Sequence, residues 1–112
     1  MSPTKHYLEL YEMHYYYFLG WTEDSFRKWC QKNYKFEPNS ADASGCCERI
    51  PNENIVVIWV KRKGNLGVLV HECVHAANIT MSDIGHKPNL EHDEPTTYLI
   101  EYLFNKAGKW KS

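Results

Sequence analysis

Two histidines and a glutamate stand in the order His71-Glu72-Cys73-Val74-His75, and that spacing has a definite chemical use. On a helix, residues four apart lie one turn apart with Cβ atoms about 5 to 6 Å from each other, so His71 and His75 can aim both imidazoles at one ion. Zn–N bonds of about 2.0 to 2.1 Å suit that span. Glu72 is turned too far round the helix to ligate, which leaves its carboxylate facing a water held at the metal, a general base's position. Given the 6 His and 10 Glu of this chain, an HExxH arises by accident with roughly 3% probability. The flanks Val68-Leu69-Val70 and Ala76-Ala77 are apolar and helical, and two histidines buried in such a segment without a metal would need other polar partners. The expected cofactor is therefore Zn²⁺.

A catalytic zinc needs a third protein ligand and an open position for water. The downstream candidates are His86, Glu91, His92, Asp93 and Glu94. Met81 occupies the place where a metzincin-type third histidine would stand, so that subclass is excluded. A donor opposite the base is also required, and Tyr98, His86 and His92 are the available types.

The elements that must position these groups follow from periodicity. Residues 7–11 alternate apolar and polar, and residues 14–21 are rich in aromatics, which predicts two strands with a tight turn near Glu12-Met13. The rival is a helix, because Leu8, Tyr11, Tyr15 and Phe18 also fit a period of 3.6. Thr22 as N-cap with Glu23 and Asp24 in the first turn predicts a helix to about Tyr34, with Phe26, Trp29 and Cys30 on one face. Residues 37–53 collect Pro, Asn, Ser, Asp and Gly and read as a long loop partly covering the site. The β-branched run of residues 54–60 reads as a well-buried strand. It is also a candidate edge to which an extended peptide could add.

A long helix is expected from about Asn65 to Ser82. At about 100° per residue it places Leu66, Val70, Cys73, Val74, Ala77 and Met81 in a core stripe, with His71, Glu72, His75, Val68 and Ile79 opposite. Asp93 and Pro95 then open a last helix, residues 94–106, whose apolar positions are Leu99, Ile100, Leu103 and Phe104.

The fold class this implies is α+β in one domain spanning residues 1–112: a short, mostly antiparallel sheet packed on the HExxH helix with two further helices. A length of 112 residues leaves no room for a second domain, and 43% hydrophobic with 24% charged residues is ordinary globular composition. A net charge of -1 offers no footprint for nucleic acid or an anionic membrane, and Lys61-Arg62-Lys63 reads as a solvated turn. The N-terminal residues carry charges where a secretory signal needs an apolar stretch, and the run 55–60 is far short of the roughly 20 residues that span a bilayer. The expected location is the cytoplasm, and the four cysteines are expected as thiols. Cys30, Cys46 and Cys47 lack the C-x-x-C spacing of a second metal site.

Beyond the motif itself, residues 76 to 93 are 18 in number and the next is Glu94. In this the sequence resembles the gluzincin clan of zinc peptidases, where a glutamate on a second helix follows the HExxH by that interval. Residues 54–104 together are similar to the short zincin-like proteins common in tailed-phage genomes. The resemblance implies Glu94 as third ligand beside His71 and His75; Glu72 stays the catalytic base, and Tyr98 is taken as the donor among the three available types. It departs from the clan where Tyr98 replaces the aspartate that orients a ligand histidine, a place Glu101 could fill. It also lacks the large second subdomain that forms the substrate cleft. The implied activity is zinc-dependent hydrolysis of peptide bonds. The alternative is a catalytically weak or inactive zinc-binding domain acting as a protein-binding, phage–host type of factor.

Overall fold

A computed structural model describes residues 2–85 and 94–108. It is α+β, with three helices and a four-stranded mixed sheet. The strands are β1 (Thr4–Leu8), β2 (Met13–Leu19), β3 (Gly45–Arg49) and β4 (Ile55–Val60), and the helices are α1 (Glu23–Tyr34), α2 (Leu66–Asp83) and α3 (Glu94–Asn105). The order across the sheet is β1-β2-β4-β3. β1 with β2 and β3 with β4 are antiparallel, whereas β2 and β4 run parallel.

The two sheet faces are built from alternate residues of the same strands. Tyr15, Tyr17, Val56, Ile58 and Val60 pack against α2 and α3. Tyr16, Phe18, Ile55, Val57 and Trp59 pack against α1. Every residue of β4 is therefore buried, which is why its sequence is continuously apolar rather than alternating. The tyrosines of β2 also tie down the helices. The Tyr17 hydroxyl donates to the Leu103 carbonyl at 2.8 Å, and the Tyr15 hydroxyl pairs with Thr80 Oγ1 at 2.8 Å. On the other face the rings of Phe26 and Trp59 stack at 5.3 Å, and the Trp59 indole N–H reaches the Trp21 carbonyl at 2.8 Å.

Helix α1 begins as its sequence signals predict. The Thr22 side chain accepts from the Ser25 N–H at 3.1 Å, and Phe26 and Cys30 are buried. It ends at Lys35 in the left-handed region, φ 52°, with the Phe36 N–H returning to the Cys30 carbonyl at 3.3 Å. Helix α2 starts on Asn65, whose side chain accepts from the Val68 N–H at 3.2 Å.

Four expectations are corrected. The first strand is residues 4–8, and a 3-10 turn (Glu9–Tyr11) rather than a tight hairpin leads into β2. Residues 37–53 contain β3, which lacks β-forming residues and gains its conformation from pairing with β4. β4 lies between β2 and β3, so its backbone groups are taken and no peptide can add to it. The buried face of α2 is rotated: Leu66 and Val70 are each 41% exposed, while Leu69, Cys73, Ala76, Ala77, Thr80 and Met81 are inside. Cys73, Ala77 and Met81 of the expected stripe stay inside, and the face turns from Leu66 and Val70 toward Leu69, Ala76 and Thr80. No helix among the described residues is long and apolar enough to cross a membrane.

The core is rich in buried protonated groups. Burial, reinforced by the charge of Glu48, pushes the Cys30 thiol up to about 12. Burial pushes the Tyr15 hydroxyl up to about 12 as well, against the opposing effect of its hydrogen bond with Thr80. Both folded values lie above the unfolded ones, 9.0 for Cys30 and 10.0 for Tyr15. Their stabilising contribution is complete below the unfolded values and is lost as pH rises through the folded ones. The melting temperature by circular dichroism should hold from neutral pH to about 9 and then fall toward 12. A melting temperature unchanged to pH 12 would contradict the burial of these two groups.

Candidate metal centre

His71, Glu72 and His75 share two turns of α2, and among the described residues they form a set able to hold an ion, with one ligand atom from each lying within 4.8 Å of the others. The Nε2 atoms of His71 and His75 are 3.1 Å apart, and the rings meet edge to face with centroids 4.6 Å apart. Two nitrogens bound to one tetrahedral zinc at about 2.05 Å each would be about 3.3 Å apart. The residues present thus fit a zinc ion through this pair. Both histidines are exposed at the rim, whereas Glu72 is 6% exposed. Burial raises the Glu72 carboxyl above its ordinary range, and the two histidines oppose that rise.

Glu72 owes its burial to strand β3. A Cβ on Gly45 would lie 2.6 Å from Val68 Cγ1, 2.8 Å from the Trp59 carbonyl oxygen and 3.0 Å from Glu72 Oε2. Only glycine lets the strand lie this close. The recess above the motif, about 280 Å³, is bordered by Asn39, Gly45, Cys46, Cys47, Glu48, His71, Glu72 and His75. Glu48 organises this wall, since its Oε2 accepts from the Asn39 N–H at 2.7 Å and from the Cys46 thiol at 3.2 Å. Burial raises the thiols of Cys46 and Cys47 well above their ordinary range, with nearby carboxylates adding to it. They remain protonated at neutral pH, and all four cysteines are free of disulfides.

β3 is also an edge strand. The Lys61 N–H bonds the Ser44 carbonyl and the Ile50 N–H bonds the Ile55 carbonyl, each at 2.9 Å. By the antiparallel alternation, Cys46 and Glu48 then face β4, and the N–H and C=O groups of Gly45, Cys47 and Arg49 point to the free edge. The expectation that residues 37–53 partly cover the site holds to this extent: Asn39 and residues 45–48 border it. No propensity signal marks them as a strand. The glycine at 45 was the one available hint.

The structure does not bring Glu94 or Tyr98 to this set. They border a different, apolar recess of about 510 Å³ with Leu8, Leu10, Tyr11, Pro95, Leu99 and Tyr102, and Tyr98 is 65% exposed. Leu99 and Leu103 are the buried anchors of α3, and with those inside, the stripe of Glu94 and Tyr98 faces the chain around Leu8 and Tyr11. Glu101 is exposed on the same helix and is not part of the His71, Glu72, His75 set. The other candidates, His86, Glu91, His92 and Asp93, lie outside the described residues.

No family model, curated protein or solved structure matches this chain.

Gly45→Ala should destabilise the fold by about 1 to 3 kcal/mol, the usual cost of forcing a methyl group into filled space. Adding Val68→Ala should restore part of that loss by removing the closest clash. Urea unfolding midpoints check both, and a Gly45→Ala midpoint equal to that of the wild type would refute the close approach.

Proposed function

We propose that this protein is a zinc-dependent peptidase that acts on an extended peptide laid along the free edge of β3. The observation that carries the reading is the pair of imidazole nitrogens 3.1 Å apart with a buried carboxylate beside them, directly under an unpaired strand edge. Zinc held there would supply Lewis-acid polarisation of a peptide carbonyl and a lowered pKa for water.

The chain's own residues supply the remainder. His71 and His75 hold the ion through Nε2. Glu72, kept in a low-dielectric floor by Gly45 and Val68, has a carboxyl shifted toward neutrality, which suits a group that must take a proton and give it up to the leaving amine. The outward backbone groups of Gly45 and Cys47 offer a substrate backbone the hydrogen bonds of an added strand. They hold it in register beside Glu72.

A second reading is favoured by a specific observation: among the described residues no group besides Glu72 joins the two histidines, and Tyr98 faces elsewhere. It makes the protein a zinc-holding domain that binds a protein partner and turns over little or nothing. The resemblance to small phage-type zincin-like proteins is compatible with either.

Purified protein should carry about one zinc per chain, and His71→Ala should lose it. Glu72→Gln should keep the metal while cleavage of a peptide mixture, followed by mass spectrometry, drops by on the order of 100-fold or more. Equal cleavage by wild type and Glu72→Gln would sink the peptidase reading. Full metal with no cleavage by wild type would leave the binding-domain reading standing.

A further inference from the structure

The metal recess does not end at His75. A second recess of about 520 Å³ shares that histidine and is bordered by Arg49, Asn78, Ile79, Ser82 and Asp83. The two adjoin at His75, where β3 and α2 run side by side. Gly45 lies against Val68 and Glu72, and Arg49, at the other end of the strand, bonds Asp83 at the end of the helix. From Glu72 to Asp83 the helix rises about 16 Å, the length of roughly five extended residues. A peptide on the β3 edge therefore passes the metal site and runs on over this second recess.

The chemistry of the recess is polar and electrically balanced. Arg49 donates from Nη1 to Asp83, from Nη2 to Asn54 Oδ1 at 3.0 Å and from Nε to the Glu53 carbonyl at 3.0 Å. A guanidinium has five N–H donors, so two remain. Among the described residues, the side chains of Asn78 and Ser82 make no hydrogen bond, and both residues are exposed.

Each class of incoming side chain meets these groups differently. A carboxylate would be drawn to Arg49 and repelled by Asp83, and an ammonium group the reverse, so neither gains a net charge partner. An apolar side chain would cover Asn78, Ser82 and the spare guanidinium N–H groups without replacing their water, which costs binding. A hydroxyl and a carboxamide both donate and accept without charge, but the carboxamide offers two donors and a carbonyl acceptor against the hydroxyl's single donor, which suits a recess with several polar partners.

Building on the peptidase reading, we infer that the recess of Asn78, Ser82, Arg49 and Asp83 is a subsite for an asparagine or glutamine side chain of the bound peptide. Asn78 and Ser82 determine specificity from the exposed face of α2. They lie three and seven residues beyond His75, on the stripe that continues from the metal site.

The test uses blocked pentapeptides Ala-Ala-Xaa-Ala-Ala, with Xaa as Gln, Asn, Leu, Glu or Lys, titrated into zinc-loaded, ¹⁵N-labelled Glu72→Gln protein. The Gln and Asn peptides should bind on the order of ten-fold tighter than the Leu, Glu and Lys peptides, the scale of one or two hydrogen bonds left unmade. The side-chain amide of Asn78 and the backbone amides of Ser82 and Asp83 should shift on titration. The double variant Asn78→Ala with Ser82→Ala should erase the preference, with the Gln and Asn peptides binding more weakly and the Leu peptide as tightly as before or tighter, since the polar groups it covered are gone. Equal or tighter binding of the Leu, Glu or Lys peptides overturns the inference, as does a preference that survives the double variant or the absence of binding by all five. Failure of the peptidase reading shows separately, as wild-type protein that binds the Gln peptide at this subsite and does not cleave it.

Discussion

Strand β3 and helix α2 approach each other so closely that a single methyl group at position 45 would strike a side chain, a backbone carbonyl and a carboxylate at once. That approach depends on Gly45, whose missing side chain leaves room for Val68, Glu72 and the Trp59 carbonyl. It is the constraint behind the rest of the site. With the strand in place, Glu72 is roofed over while its neighbours one residue before and three residues after remain in solvent. A motif whose members are adjacent in sequence is thereby divided into an exposed pair of nitrogens and a buried oxygen pair.

That division makes the electrostatics workable. A carboxylate alone in an apolar floor would be costly to keep ionised, and the opposing pull of His71 and His75 limits the shift. The wall opposite is held by polar ties rather than by bulk. Glu48 fastens Asn39 to the strand, Arg27 binds the Pro38 carbonyl at 2.8 Å and the Ser40 hydroxyl at 3.1 Å, and Arg49 anchors the far end of β3 to α2. The edge is thus tied at both ends.

The position of α3 illustrates how spacing and geometry part company. Eighteen residues separate His75 from Glu94, an interval compatible with a ligand on a second helix. The rotation of that helix is chosen by burial, however. Leu99 at 3% exposure and Leu103 at 0% decide which stripe turns inward, and Glu94 and Tyr98 lie on a stripe that turns toward Leu8 and Tyr11.

What could be read from the chain before folding was the local part. The cap at Thr22, the run of residues 55–60, the helix carrying His71, Glu72 and His75, and the pairing of the two histidines all follow from interactions within a few residues, where residue type and spacing suffice. The α+β class follows from the same patterns. What required the tertiary structure was each feature made by contact between distant segments: β3, which has little strand propensity and exists through its ladder with β4; the interior place of β4; the buried face that α2 adopts; and the adjoining recesses between β3 and α2. Those depend on how closely two surfaces can approach, a property of side-chain volume across elements that periodicity along one element does not contain.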